Sequence, residues 1–363
     1  MHPLVSGTDA KRYILPDSNM CILFPYKIEN EKGVLIPTKE FEKNYPLAWK
    51  YLLSNEKDLR SRENSKMDND AKWWGYVYPK SLDKQKFPKL LIPRLIISLF
   101  AVIDDAHEYF LDNVDVGGIL VKEKEDLFFL GGIINAPVAN FIWRRISKPF
   151  QNDYRSANKQ FIAPLPIPKA NEKEKKQVAD LAKDLQSLHT ERRDKIAMID
   201  KRLESSQVQK DKRKPSWIWI EADNKNFLET KLESINTQLF KGAKLSVSLD
   251  KGELQFFING ISIIEIFLEE KESLFIYAQW KQKIRVINVT EKYNAKSLLT
   301  DLLDLVKTEN PAVKDQVTAV DKEIDALNKT IAVKEKEMNE LVYRLYGLTE
   351  EEIRIVEEKS SEL

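Results

Sequence analysis

One cysteine, three histidines and a lack of long apolar runs each remove a class of protein from consideration. A single thiol, Cys21, forbids an internal disulfide, and its setting in MCILF predicts a buried strand residue in a reducing compartment. His2, His107 and His189 are too scattered to converge on a structural zinc, and only one thiol is present to assist them. No stretch of about eighteen apolar residues occurs and the amino terminus is not of the charged-then-apolar kind, so neither a membrane span nor a signal peptide is expected. A cytoplasmic location follows as an expectation.

Catalytic patterns are also missing. The glycine pair in FLGGI lacks the spacing and the following acidic residue of a dinucleotide site. NAPV and ENPA are the nearest strings to the tetrad of amino-group methyltransferases, and neither satisfies it. PDSN at 16–19 and EEK at 269–271 do not place two carboxylates and a lysine on one strand pair, as a metal nuclease requires. The formal net charge is +1, which does not draw the whole molecule to a polyanion but leaves room for a basic face on one part.

What is present is a globular composition, 42% apolar and 32% charged, in a chain of 363 residues, long enough for two or three folded units, of which three are expected. From Tyr13 to Ile167, short apolar runs punctuated by proline (CILFPY, GVLIP, WWGYVYP, KLLIPRLIISLFAVID, VGGILV and DLFFLGG) predict an irregular, partly open β structure with a few helices. FLGGI reads as a strand turning on its glycines, with Asn135 capping a helix that carries Val138, Phe141, Ile142 and Ile146 on one face. Beyond Pro168, Val178, Leu181, Leu185 and Leu188, then Ile196, Ile199 and Leu203, recur at helical spacing. Val313 to Leu345 repeats that pattern, with Pro311 at its start and Gly347 at its end. Two long amphipathic helices cover each other best as an antiparallel pair.

Between them, the alternation of Leu245, Val247 and Leu249 with Leu254, Phe256 and Ile258, and the turns Lys251-Gly252 and Asn259-Gly260, predict a β-meander. FIYAQW and IRVINV are expected to add strands, and NFLETKLESINTQLF and AKSLLTDLLDLV helices. LTEEEIRIVEE carries a capping box, Thr349 with Glu352, and a staple of Leu348 onto Ile353. The fold class expected is α+β: a mixed, β-rich first domain at 1–168, a long helix at 169–211, an inserted α+β module at 212–308, and a second long helix with a capped terminal helix at 309–363.

Two stretches have the ingredients of a polyanion surface. Residues 59–89 interleave Arg60, Arg62, Lys66, Lys72, Lys84 and Lys86 with Trp73, Trp74, Tyr76 and Tyr78. Cations beside rigid aromatics suit phosphate neutralisation and groove contact, whereas the bland alternative makes the tryptophans core and the charges a solvated loop. The second stretch, RRISKPFQNDYRSANKQ, carries Arg144, Arg145, Arg155 and Lys159 with Gln151, Asn152 and Asn158, amides able to pair with base edges. The charge runs of the long helices read as solvated faces.

The order of these pieces resembles a known family. LVSGTDAKRY, FPKLLIPRL with FAVIDD, FLGGIINAPVANFIWRRIS, FIAPLPIP before a long helix, and LVYRLYGLTEEEIRIVEE together resemble the target-recognition domain at the carboxy terminus of type II and IIG restriction-modification DNA adenine methyltransferases of the Taq type, which is related to type I specificity subunits. The likeness covers roughly 1–208 and 311–358. It implies a non-catalytic carboxy-terminal fragment or separate specificity subunit that recognises double-stranded DNA for a methyltransferase domain or subunit. S-adenosylmethionine, adenine-N6 transfer and any endonuclease activity would then belong to that parent or partner, and no cofactor to this chain. The resemblance transfers no base-reading residues. Physical inference alone selects Lys72, Lys84, Lys86, Arg144 and Arg145 for phosphates, Arg60, Arg62, Trp74, Asn152 and Arg155 for groove edges, and Lys159 beside them. The alternatives are a type I-like subunit bridging modification subunits and a protein-interaction scaffold without DNA.

Overall fold

The computed structural model describes residues 1–112, 114–123, 125–206, 243–287 and 295–361. The chain is a mixed α+β fold with several small sheets. Contacts divide it into two compact units, Met1–Thr190 with Ile331–Leu363, and Glu191–Thr330.

The first unit begins with β1 (His2–Val5), β2 (Cys21–Ile22), β3 (Tyr26–Glu29) and β4 (Lys32–Leu35), followed by α1 (Thr38–Asn44), α2 (Pro46–Ser54) and α3 (Glu56–Ser65). Next come β5 (Lys89–Pro93), β6 (Leu95–Ile96), β7 (Val102–Asp104), β8 (Phe110–Leu111) and β9 (Val116–Ile119), then α4 (Glu125–Asn135), α5 (Pro137–Ile146), β10 (Arg155–Ser156) and α6 (Lys159–Ile162). The sheet β7-β5-β9 is antiparallel and its central strand is buried on both faces, which is why LLIP is apolar without alternation. Leu90, Ile92 and Ile103 face a core shared with Ile133, Trp143, Val178, Leu185, Met338 and Val342. Leu91, Val102 and Val116 face a second core with Val5 and Leu111. Cys21 is exposed rather than buried, because β2 is a two-residue strand at the margin of the sheet β2-β1-β8.

FLGGIIN departs most from expectation. It is helix, not strand, and α4 bends by 68° into α5 at Ala136. The glycines make no turn. A Cβ on Gly131 would lie 2.7 Å from Cδ1 of Ile103, and one on Gly132 2.7 Å from Cγ1 of Val178, so the pair lets α4 sink between sheet and helices. Asn135 does not cap α5. Its amide instead donates to Ala101 O at 2.9 Å and accepts from Ala101 N–H at 2.8 Å. Gln186 repeats that pairing at Ile103, at 2.8 and 3.0 Å, and Asn140 accepts from Leu99 N–H at 2.8 Å. Three buried amides therefore satisfy backbone groups along the segment 99–103 that no strand pairs with on that side. Nor is WWGYVYP a strand: its tryptophans sit in turns, packed with Ile36, Phe41, Trp49 and Leu52.

The long helices are α7 (Glu172–Ser205) and, later in the chain, a helix from Pro311 to Tyr346. In the first unit Lys334 pairs with Asp184 at 2.7 Å, and Glu335 takes Arg12 at 2.5 Å and the His189 ring at 3.3 Å. Burial opposes ionisation of Glu335, but His189 and Arg12 outweigh it and hold its carboxyl below the usual range.

In the second unit, β11 (Leu245–Asp250), β12 (Glu253–Ile258) and β13 (Ile261–Phe267) form the expected meander. Lys251-Gly252 and Asn259-Gly260 make its turns with positive φ at both residues. FIYAQW and the start of IRVINV belong to α8 (Glu270–Val286) instead of strands, and AKSLLTDLL forms α9 (Ala295–Leu303). Trp280 and Ile276 of α8 enter the core of the meander, while Phe275 and Ala278 on its other side pack with Ile199, Val313, Val317 and Ile324. The helix Pro311–Tyr346 is α10. Within this unit Lys195 pairs with Glu323 at 2.5 Å and Arg192 with Asn328 at 3.1 Å, so α7 and α10 run antiparallel as expected. NFLETKLESINTQLF and the end of IRVINV lie outside the described residues.

In the first unit the last described helix is α11 (Glu350–Ser361). Gly347 (φ +67°) closes α10 with Leu348 N–H bonded to Tyr343 O, and Thr349 and Glu352 form the capping box at 2.8 and 3.3 Å.

Candidate nucleic-acid interface

Residues 148–156 form a small hairpin. Ser156 N–H bonds Lys148 O at 3.0 Å, Phe150 N–H bonds Tyr154 O at 2.7 Å, and Pro149 bridges Arg155. Its base is fixed to the core: β10 pairs with β6, and buried Trp143 donates from Nε1 to Ser156 O at 3.1 Å. Its tip is Gln151-Asn152-Asp153, in which Asn152 (φ +55°) and Asp153 (φ +61°) are both left-handed. Asn and Asp are the side chains that tolerate this conformation best after glycine.

Cations surround the hairpin. Arg144 donates to Ile97 O at 2.8 Å and to both carboxylate oxygens of Asp153 at 2.9 and 3.0 Å. Arg155 donates to Arg144 O at 2.7 Å, and its Nε, 4.0 Å from Asp153, is buried without a hydrogen-bond partner. Arg94 reaches Asn158 Oδ1 at 3.3 Å, and Asn158 in turn donates to Ser156 Oγ at 2.9 Å. Arg145 lies over the Phe141 ring, and Lys148 Nζ stands 5.4 Å from the centre of the Phe150 ring. Lys159 is exposed at the start of α6. Between 144 and 160 there are five cations and one carboxylate, Asp153. Phe150 is 49% exposed and Tyr154 39%. A concentrated positive charge with solvent-facing aromatics and free amides can neutralise phosphate and contact bases.

The other predicted stretch divides. Trp74 is buried and donates to Ile36 O at 3.2 Å, so it cannot touch a groove edge and is corrected to a core residue. Arg62 is spent on the backbone, donating to Trp73 O and Gly75 O at 2.8 and 2.9 Å. Arg60 is held by three carboxylates, Glu56, Asp68 and Asp70, at 2.8, 3.1 and 2.6 Å. Arg60 and Arg62 thus help build the loop, the first through carboxylates and the second through carbonyls. Lys72 remains exposed, as do Lys84 and Lys86 on the turn Asp83–Lys86.

That turn is anchored from below. Buried Lys89 donates to Gln85 O and Phe87 O at 2.8 and 3.2 Å and pairs with Asp104 at 2.8 Å, while Gln85 accepts from Leu111 N–H at 3.0 Å. Burial pushes the Lys89 amine below its ordinary range against the pull of Asp104. Beside it an open cleft of 420 Å³ is lined by Glu31 and Asp83 as well as Lys84 and Lys122, a mixture of signs that does not make a phosphate track. Arg94, Lys148, Phe150 and Tyr154 were not singled out by the sequence. Pro149 and the pair Asn152-Asp153 between two short runs are the turn signal that marks their hairpin.

Among the described residues no group of three His, Cys, Asp or Glu side chains is placed to hold a metal ion, and no single helix is long and apolar enough to cross a membrane. No protein-family model matches the chain, and no curated protein matches it significantly.

Proposed function

We propose that this chain recognises double-stranded DNA for a partner DNA adenine methyltransferase, itself doing no chemistry. The observation that carries the reading is the hairpin 148–156 with its flanks, where residues 144–160 hold five cations and one carboxylate and the hairpin is bonded to the core at its base. Arg145, Lys148 and Lys159 would meet phosphates, with Lys72, Lys84 and Lys86 as further contacts, and Gln151 and Asn152 at the tip would reach base edges. Arg144 and Arg155 act one step back, because their guanidinium groups hold the hairpin's carbonyls and Asp153. S-adenosylmethionine and base chemistry belong to the partner on this reading. A type I-like subunit with two recognition domains is less favoured, since the three-stranded meander of the second unit does not repeat the first unit's sheets.

Fluorescence anisotropy with a labelled duplex tests the proposal. Replacing Arg145, Lys148 and Lys159 together by alanine should weaken binding about tenfold or more at moderate salt and do so for every sequence, because phosphate contacts carry no base information. An undiminished affinity would remove the hairpin from the interface.

A further inference from the structure

Phe150 and Tyr154 face each other across the hairpin, as the bond from Phe150 N–H to Tyr154 O and the Pro149–Arg155 bridge fix the register. Directly opposed residues of an antiparallel pair put their side chains on one face, so both rings leave the same side of the tip. Lys148 lies two residues along that side, with its amine over the Phe150 ring, whereas Arg155 on the other face turns to Arg144 O and Ser147 O. The tip is thus two exposed aromatic rings and an ammonium on one face.

The left-handed pair Asn152-Asp153 is held by Arg144 on Asp153 and by the Phe150–Tyr154 backbone bond. An exposed tip with two aromatics spaced by amides and flanked by cations suits a flat, polarisable partner attached to a polyanion. An unstacked nucleobase has both properties: its π-face stacks on an aromatic ring and its phosphates pair with the surrounding cations.

We infer that the Phe150–Tyr154 tip stacks on a base that has left the helical stack, so that the chain prefers duplexes with a locally unpaired step. The inference rests on the DNA-binding reading above and deepens it by naming the DNA conformation preferred. Two duplexes identical in length and charge, one fully paired and one with a central mismatch, separate the two ideas. The wild-type chain should bind the mismatched duplex about tenfold more tightly, the usual scale of one base–aromatic stack. Phe150→Ala with Tyr154→Ala should bring the ratio of the two affinities to about one, and Phe150→Trp should retain the preference. Melting temperatures matching wild type would show that these solvent-facing substitutions leave the fold intact. Equal wild-type affinity for the two duplexes, or a preference that survives the double substitution, would overturn the inference and leave the DNA-binding reading standing. Binding to neither duplex would overturn both.

Discussion

Asp153 is the residue on which the electrostatics of the hairpin turn. It neutralises Arg144 at 2.9 Å and lies 4.0 Å from Arg155, so it cancels positive charge that would otherwise attract a phosphate and itself repels one. Asparagine keeps the left-handed backbone that the tip needs. Asp153→Asn should therefore raise affinity for duplexes of unrelated sequence by about threefold to tenfold and steepen its salt dependence by about one counterion. Affinity that falls or stays constant in the same anisotropy titration would show that the charge Asp153 cancels is not felt by phosphate. Of the residues singled out by type and spacing, Arg145, Lys159 and Asn152 do lie on this exposed surface, because helix ends and turns are readable locally. Arg60, Arg62 and Trp74 do not, because sequence reveals a cation but not the three carboxylates or the carbonyls that will occupy it.

At the scale of elements, legibility followed periodicity. The stripes of α7 and α10, the meander turns and the capping box of α11 appear where the 3.6- and 2-residue patterns and the turn residues put them. Short wholly apolar segments were not readable in this way. FLGGIIN and FIYAQW, buried on nearly all sides, lack the alternation that separates strand from helix, and both are helical. The decisive information was tertiary: Gly131 and Gly132 are small because Ile103 and Val178 press on α4. Gly132→Ala would drive a methyl group to 2.7 Å from Val178 Cγ1, with Met338 Cε at 3.1 Å behind it. Although alanine is the better helix former, overpacking should win, with a loss of about 1–3 kcal/mol by urea denaturation. A stabilised variant would mean that α4 does not pack as tightly as described.

For the whole molecule, a formal charge of +1 conceals the uneven distribution on which the functional reading depends. The long helices spend their charges on one another, in pairs such as Lys195 with Glu323 and Lys334 with Asp184, while between 144 and 160 cations outnumber carboxylates five to one. Binding driven by so local a patch should be strongly salt-dependent although the protein is nearly neutral. The most direct test is the slope of log binding constant against log salt concentration for a duplex, measured for the wild-type chain and for the Arg145, Lys148 and Lys159 triple alanine variant. A steep negative slope that shrinks by about 2–3 in the variant is the expected result. A slope near zero in the wild-type chain, or one identical in the two proteins, would contradict the account.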